Sequence, residues 1–106
     1  MGATTFYQSA KGANAKEAFA AAREEAQYRF GHEGYTGTIA EKHSFVEITV
    51  PADFQHPKAI TPMDRATRYA DYLIENDDPR IDDKWGPAGA INVGNGSWFF
   101  FGWASE

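Results

Sequence analysis

The segment Trp98-Phe99-Phe100-Phe101-Gly102-Trp103 places an aromatic side chain at every position but one. Side chains of a strand alternate between the two faces of a sheet. A strand like this one has no face to offer water, so it belongs at the centre of a sheet or beneath packed helices. Ala88 to Val93 precedes it, and Gly94-Asn95-Gly96 lies between the two runs. Glycines at that position mark a turn, so residues 88–103 read as a hairpin.

The remaining elements follow from periodicity and capping chemistry. Thr4 to Ser9 is rich in β-formers and reads as a first strand that Lys11-Gly12 breaks. Asn14 stands where a helix N-cap belongs, with Glu17 three residues later. Ala15, Phe19, Ala22, Ala26 and Phe30 recur at helical spacing, Glu25 and Arg29 form an i,i+4 pair, and Gly31 ends the helix. Thr36 to Ala40 reads as a short strand. Phe45 to Val50 alternates, with Val46, Ile48 and Val50 on the buried side, and Pro51 stops it. Thr61-Pro62-Met63-Asp64 is a strong helix start, and Met63, Ala66, Ala70 and Leu73 line one face as far as about Asn76. Asp78-Pro79 restarts a single turn toward Trp85. The order is β-α-β-β-α-β-β. Such runs fold as an α+β domain, an antiparallel or mixed sheet of four or five strands with both helices on one face.

Composition limits the function. At 106 residues the chain makes one domain, 1–106. Fifteen acidic against ten basic residues give a net charge of −5, the wrong sign for a sequence-independent nucleic-acid binder. With no cysteine there is no disulfide, no thiolate nucleophile and no Cys-based zinc site. No run approaches the roughly 18 apolar residues of a membrane span, and no secretory h-region opens the chain. A cytoplasmic, soluble protein is expected.

Two stretches carry candidate chemistry. Gly31-His32-Glu33-Gly34-Tyr35-Thr36-Gly37 displays His32, Glu33, Tyr35 and Thr36 between closely spaced glycines. These four are the candidate ligand-binding residues, for a small anionic, nucleotide-like molecule held in a nest of backbone N–H groups. The plainer reading is a helix cap followed by a tight turn. A P-loop is disfavoured, because the glycines follow a helix C-terminus whose dipole repels anions. The second stretch gathers Asp77, Asp78, Asp82, Asp83 and Trp85. It lacks the order of a calcium loop. It reads either as solvated caps or as a carboxylate-rich patch whose tryptophan anchors a basic partner protein. His32, His43 and His56 match no metal-ligand spacing and read as surface histidines. No nucleophile elbow is present. No cofactor, metal or catalytic residue is assigned, although His32 or Glu33 could serve as a base in a small enzyme.

Gly34-Tyr35-Thr36-Gly37-Thr38-Ile39-Ala40-Glu41-Lys42, Lys84-Trp85-Gly86-Pro87-Ala88-Gly89 and the ending Phe100-Phe101-Gly102-Trp103-Ala104-Ser105 resemble a group of small uncharacterised accessory proteins of tailed bacteriophages and prophages. The likeness spans the chain from the first helix onward. It implies an accessory protein made in the cytoplasm of an infected bacterium. Proteins of that kind often block host defence or host enzymes by binding them, or sequester a nucleotide signal. The group brings no established activity and no site residues. The resulting expectation is a non-catalytic inhibitor of a host protein, with small-molecule binding as the alternative.

Overall fold

The computed structural model describes residues 2–31 and 34–106. Four strands, β1 (Ala3–Lys11), β2 (Phe45–Glu47), β3 (Ala88–Gly94) and β4 (Ser97–Ser105), form one mixed sheet in the order β1-β4-β3-β2. β4 is antiparallel to both neighbours, β1 and β3, whereas β2 pairs with β3 in parallel. Two helices complete the α+β fold, α1 (Ala15–Phe30) and α2 (Pro62–Glu75). No helix among the described residues is long and apolar enough to cross a membrane.

The helix boundaries are set by side chains. The Glu17 amide donates to the Asn14 carboxamide oxygen at 2.9 Å, which opens α1. Gly31, at φ +90°, closes it by donating its own N–H to the Gln27 carbonyl. Thr61 and Asp64 cap α2 reciprocally, each side chain accepting from the other's backbone N–H, with Pro62 at the first helical position. At the hairpin, Asn95 and Gly96 both take positive φ, the twist that suits a two-residue turn between antiparallel strands.

β4 lies inside the sheet, as its composition demands. Phe100 points to one face, where it packs with Phe6, Trp98 and Ala104 against Ala18, Phe19, Ala22 and Ala26 of α1. Phe99 and Phe101 point to the other, where they meet Ala66, Ala70 and Leu73 of α2 together with Ile81 and Ile91. The helices therefore cover opposite faces, which corrects the expectation that both share one. Topology explains it. β1, β2 and β3 run in the same direction, so α1 crosses from the β1 edge to the β2 edge and α2 crosses back toward β3. Two crossovers of the same hand running in opposite directions must lie on opposite faces.

Other expectations change in detail. Thr36 to Ala40 forms no strand. Ile39–Glu41 is a single 3-10 turn, capped by the Thr38 hydroxyl accepting from the Ala40 amide, so the sheet has four strands rather than five. β2 stops at Glu47, although the Ile48 amide still bonds Ala90 at 2.8 Å. The single turn expected after Asp78-Pro79 is present over residues 79–81, closed by the Ile81 amide on the Asp78 carbonyl at 3.0 Å, and a separate turn follows at 84–85. Phe30, placed on the buried stripe by spacing, is exposed, and the buried stripe of α1 ends at Ala26.

Gly89 lies under the Phe101 ring, its partner across β3 and β4. A Cβ at Gly89 would fall 2.5 Å from the ring. Gly89→Ala should therefore destabilise the fold by about 1–3 kcal/mol through overpacking. The expected readout is a lower urea midpoint with an unchanged m-value.

Candidate functional site

Lys42 organises the edge of the sheet where β2 begins. The 3-10 turn ends on it, and its side chain runs inward until the residue is 1% exposed. Its ammonium donates to three carbonyls, Asp83 O at 3.1 Å, Lys84 O at 3.2 Å and Gly86 O at 2.9 Å. Three N–H groups thus meet three acceptors. Burial pushes its pKa down to about 8, partly opposed by the charge of Asp83. The loop of residues 83–86 is wrapped around this cation. The Asp83 carboxylate in turn accepts the Trp85 amide at 2.8 Å, and the Gly86 amide donates to the Asp83 carbonyl.

Trp85 is consequently held outward, with 63% of its surface exposed. The Lys84 ammonium sits 5.4 Å from its ring centroid and also donates to the Gly2 carbonyl. Tyr35 meets the same indole edge-on at 6.3 Å. Tyr35 adopts φ +56°, an uncommon conformation for a bulky side chain. A shallow depression of about 680 Å3 runs from Trp85 and Trp103 to Asp77, Asp82 and Asp83. Among the described residues the salt bridges are Glu25–Arg29, Asp71–Arg68 and Asp78–Arg80, so Asp77 and Asp82 have no cationic partner, whereas Asp83 acts on the buried Lys42 ammonium without a direct bridge.

The two candidate stretches, far apart in sequence, therefore share one surface through Tyr35 and Trp85. Two of the predicted residues belong to the scaffold instead. Thr36 gives its N–H and hydroxyl to the Glu41 carboxylate, at 3.1 Å and 2.7 Å. Burial would raise the Glu41 pKa, but the bonds from Thr36, Tyr35 and Ser105 outweigh it and hold the carboxyl below its usual range. Asp78 is gripped in a fork by Arg80, at 2.9 Å and 3.0 Å, which lowers its pKa against the opposing effect of burial. His32 and Glu33 lie outside the described residues. His43 and His56 are exposed, and His56 Nδ1 accepts the Lys58 amide.

Gly37 shows what the glycines do here. Its N–H bonds the Ser105 carbonyl at 2.7 Å, φ is +71°, and a Cβ would lie 2.8 Å from the Thr4 methyl. The segment docks against the ends of β1 and β4, which is a packing role. Nothing in the sequence singled out Lys42. A lysine beside a strand start carries no signal of burial until the carbonyls that receive it are known. No family model, curated protein or solved structure matches this chain.

Lys42→Met would take the ammonium away from the Lys84 and Gly86 carbonyls and leave the Asp83 carbonyl with the Gly86 amide alone, costing about 2 kcal/mol or more. The pH dependence follows from the direction of the shift. Between about 8 and the unfolded value near 10.4 the unfolded chain binds more protons than the native one. Stability of the wild type relative to Lys42→Met should therefore rise with pH across that interval, as measured by urea unfolding at a series of pH values.

Proposed function

We propose that this protein is a non-catalytic binding protein that inhibits another protein by docking its acidic, aromatic edge onto a basic surface. The observation that carries this reading is the exposed Trp85, fixed on the Lys42-clamped loop and flanked by Asp77, Asp82 and Asp83, the first two without a salt-bridge partner among the described residues. An aromatic anchor within a charged rim is the usual make-up of a binding hot spot. A loop already held in place loses little conformational freedom on association. The left-handed backbone at Tyr35 adds to the case, since strain of this kind collects where a side chain must be presented. The resemblance to phage accessory proteins points to a host bacterial protein as the target, reached in the host cytoplasm.

The alternative, a small anion held by Tyr35 and Thr36, is weakened by Glu41. Its carboxylate takes both Thr36 donors and would repel an incoming phosphate.

The test exploits the turn geometry. Asparagine tolerates the φ of +50° at Asp77 and can replace Asp83 as acceptor of the Trp85 amide. The triple variant Asp77→Asn, Asp82→Asn, Asp83→Asn therefore removes charge and keeps shape. Wild-type protein should retain a stoichiometric partner from bacterial lysate. The triple variant should bind it with slower association and a weaker salt dependence, while its circular dichroism spectrum stays that of the wild type. Trp85→Ala should cost about 2 kcal/mol or more of affinity. Isolation of the wild type alone, or full binding by both variants, would refute the proposal.

A further inference from the structure

Away from this edge, α2 and the segment after β2 enclose a second concavity, a cleft of about 670 Å3. Its volume falls in the range of small-molecule sites, roughly 300–1,000 Å3. Three rings form one wall. Phe54 meets Tyr69 edge-on at 5.1 Å, and Tyr69 stacks on Tyr72 at 6.0 Å. Tyr69 is buried, whereas half of Tyr72 is open to the cleft mouth and to solvent.

The polar lining is electronegative. Asp53, Asp71 and Glu75 outnumber the one guanidinium in the lining, that of Arg68, and a second, that of Arg65, lies 5.8 Å from the Phe54 ring centroid and donates to the Phe54 carbonyl. Arg68 pairs loosely with Asp71 at 3.7 Å, and Asp53 and Glu75 have no ion-pair partner among the described residues. The Tyr7 hydroxyl of β1 donates to Asp71 and fixes its carboxylate. Burial, that bond and the charges of Asp71 and Glu75 keep Tyr7 protonated well above the usual phenol range, so it stays a donor. His56, also on the rim, has Nδ1 committed to the Lys58 amide.

We propose that this cleft binds a small organic cation, a primary ammonium or guanidinium carried on a short apolar stem. Ring faces attract cations through their quadrupole, and the carboxylates supply the countercharge. Phe54 and the half-exposed Tyr72 give the stem an apolar seat. An anionic ligand such as a nucleotide would meet the wrong potential here. The site shares no residue with the Trp85 edge, so it stands independently of the function proposed for that edge.

Agmatine, which carries both cationic groups on a four-carbon stem, is the probe. Titrated into the 15N-labelled full chain, it should cause saturable shifts confined to residues 53–56 and 68–75. Tyr72→Ala combined with Glu75→Gln, both at exposed positions, should weaken binding about ten-fold. Trp85→Ala should leave binding unchanged, which separates this site from the partner edge. The assignment is overturned if the shifts fail to saturate or spread over all acidic residues, or if the double variant binds as well as wild type. It is equally overturned if adenosine monophosphate occupies the same residues, or if only an end-blocked arginine peptide binds and agmatine does not.

Discussion

Phe100 and Phe101 are adjacent on one strand, point to opposite faces, and are both fully buried. Everything in the architecture answers that condition. A strand with two dry faces needs a cover on each, and two helices are available. Returning the chain from β1 to the far edge of the sheet and then inward to β3 sends those helices across in opposite directions. Crossovers of one hand then deliver one helix to each face. Alanine at the α1 contact and glycine at position 89 let the layers and the neighbouring strand approach closely enough to fill the space around the rings.

The same arrangement decides where recognition can occur. The sheet's faces are used, so the edges and loops are what remain. At one edge, Lys42 turns an otherwise free loop into a defined surface by satisfying three carbonyls from inside. The cost of burying that ammonium shows in its depressed pKa, and the return is a fixed Trp85. Glu41, its neighbour in sequence, does the equivalent for the Tyr35–Thr36 segment. Two adjacent charged residues thus hold the two halves of the candidate surface from beneath.

Both concavities discussed above are rich in carboxylates and aromatic rings, which fits a chain of net charge −5. They differ in shape. The Trp85 edge is shallow and presents its indole outward, a form suited to another protein's surface. The α2 cleft is walled by rings and suited to a molecule small enough to enter. Under the two proposals, the excess of carboxylates would select cationic partners in both places, and geometry would sort them by size.

Local chemistry was legible directly from the chain. Asn14, Gly31, Thr61 and Pro62 act within a few residues of themselves, so their capping roles could be read in advance. The unbroken apolar run of β4 already showed that both its faces are hidden, which left the centre of the sheet or a place beneath packed helices. Side chains such as Asp82, Asp83 and Trp85 could be picked out by type and spacing. Their union with Tyr35, the removal of Thr36 and Asp78 into structural bonds, the burial of Lys42 and the aromatic cleft of Phe54, Tyr69 and Tyr72 could not. Each depends on partners brought from distant parts of the chain, as does the placing of α1 and α2 on opposite faces. Periodicity reports which side of an element avoids water. Only the crossover path determines which other element meets that side.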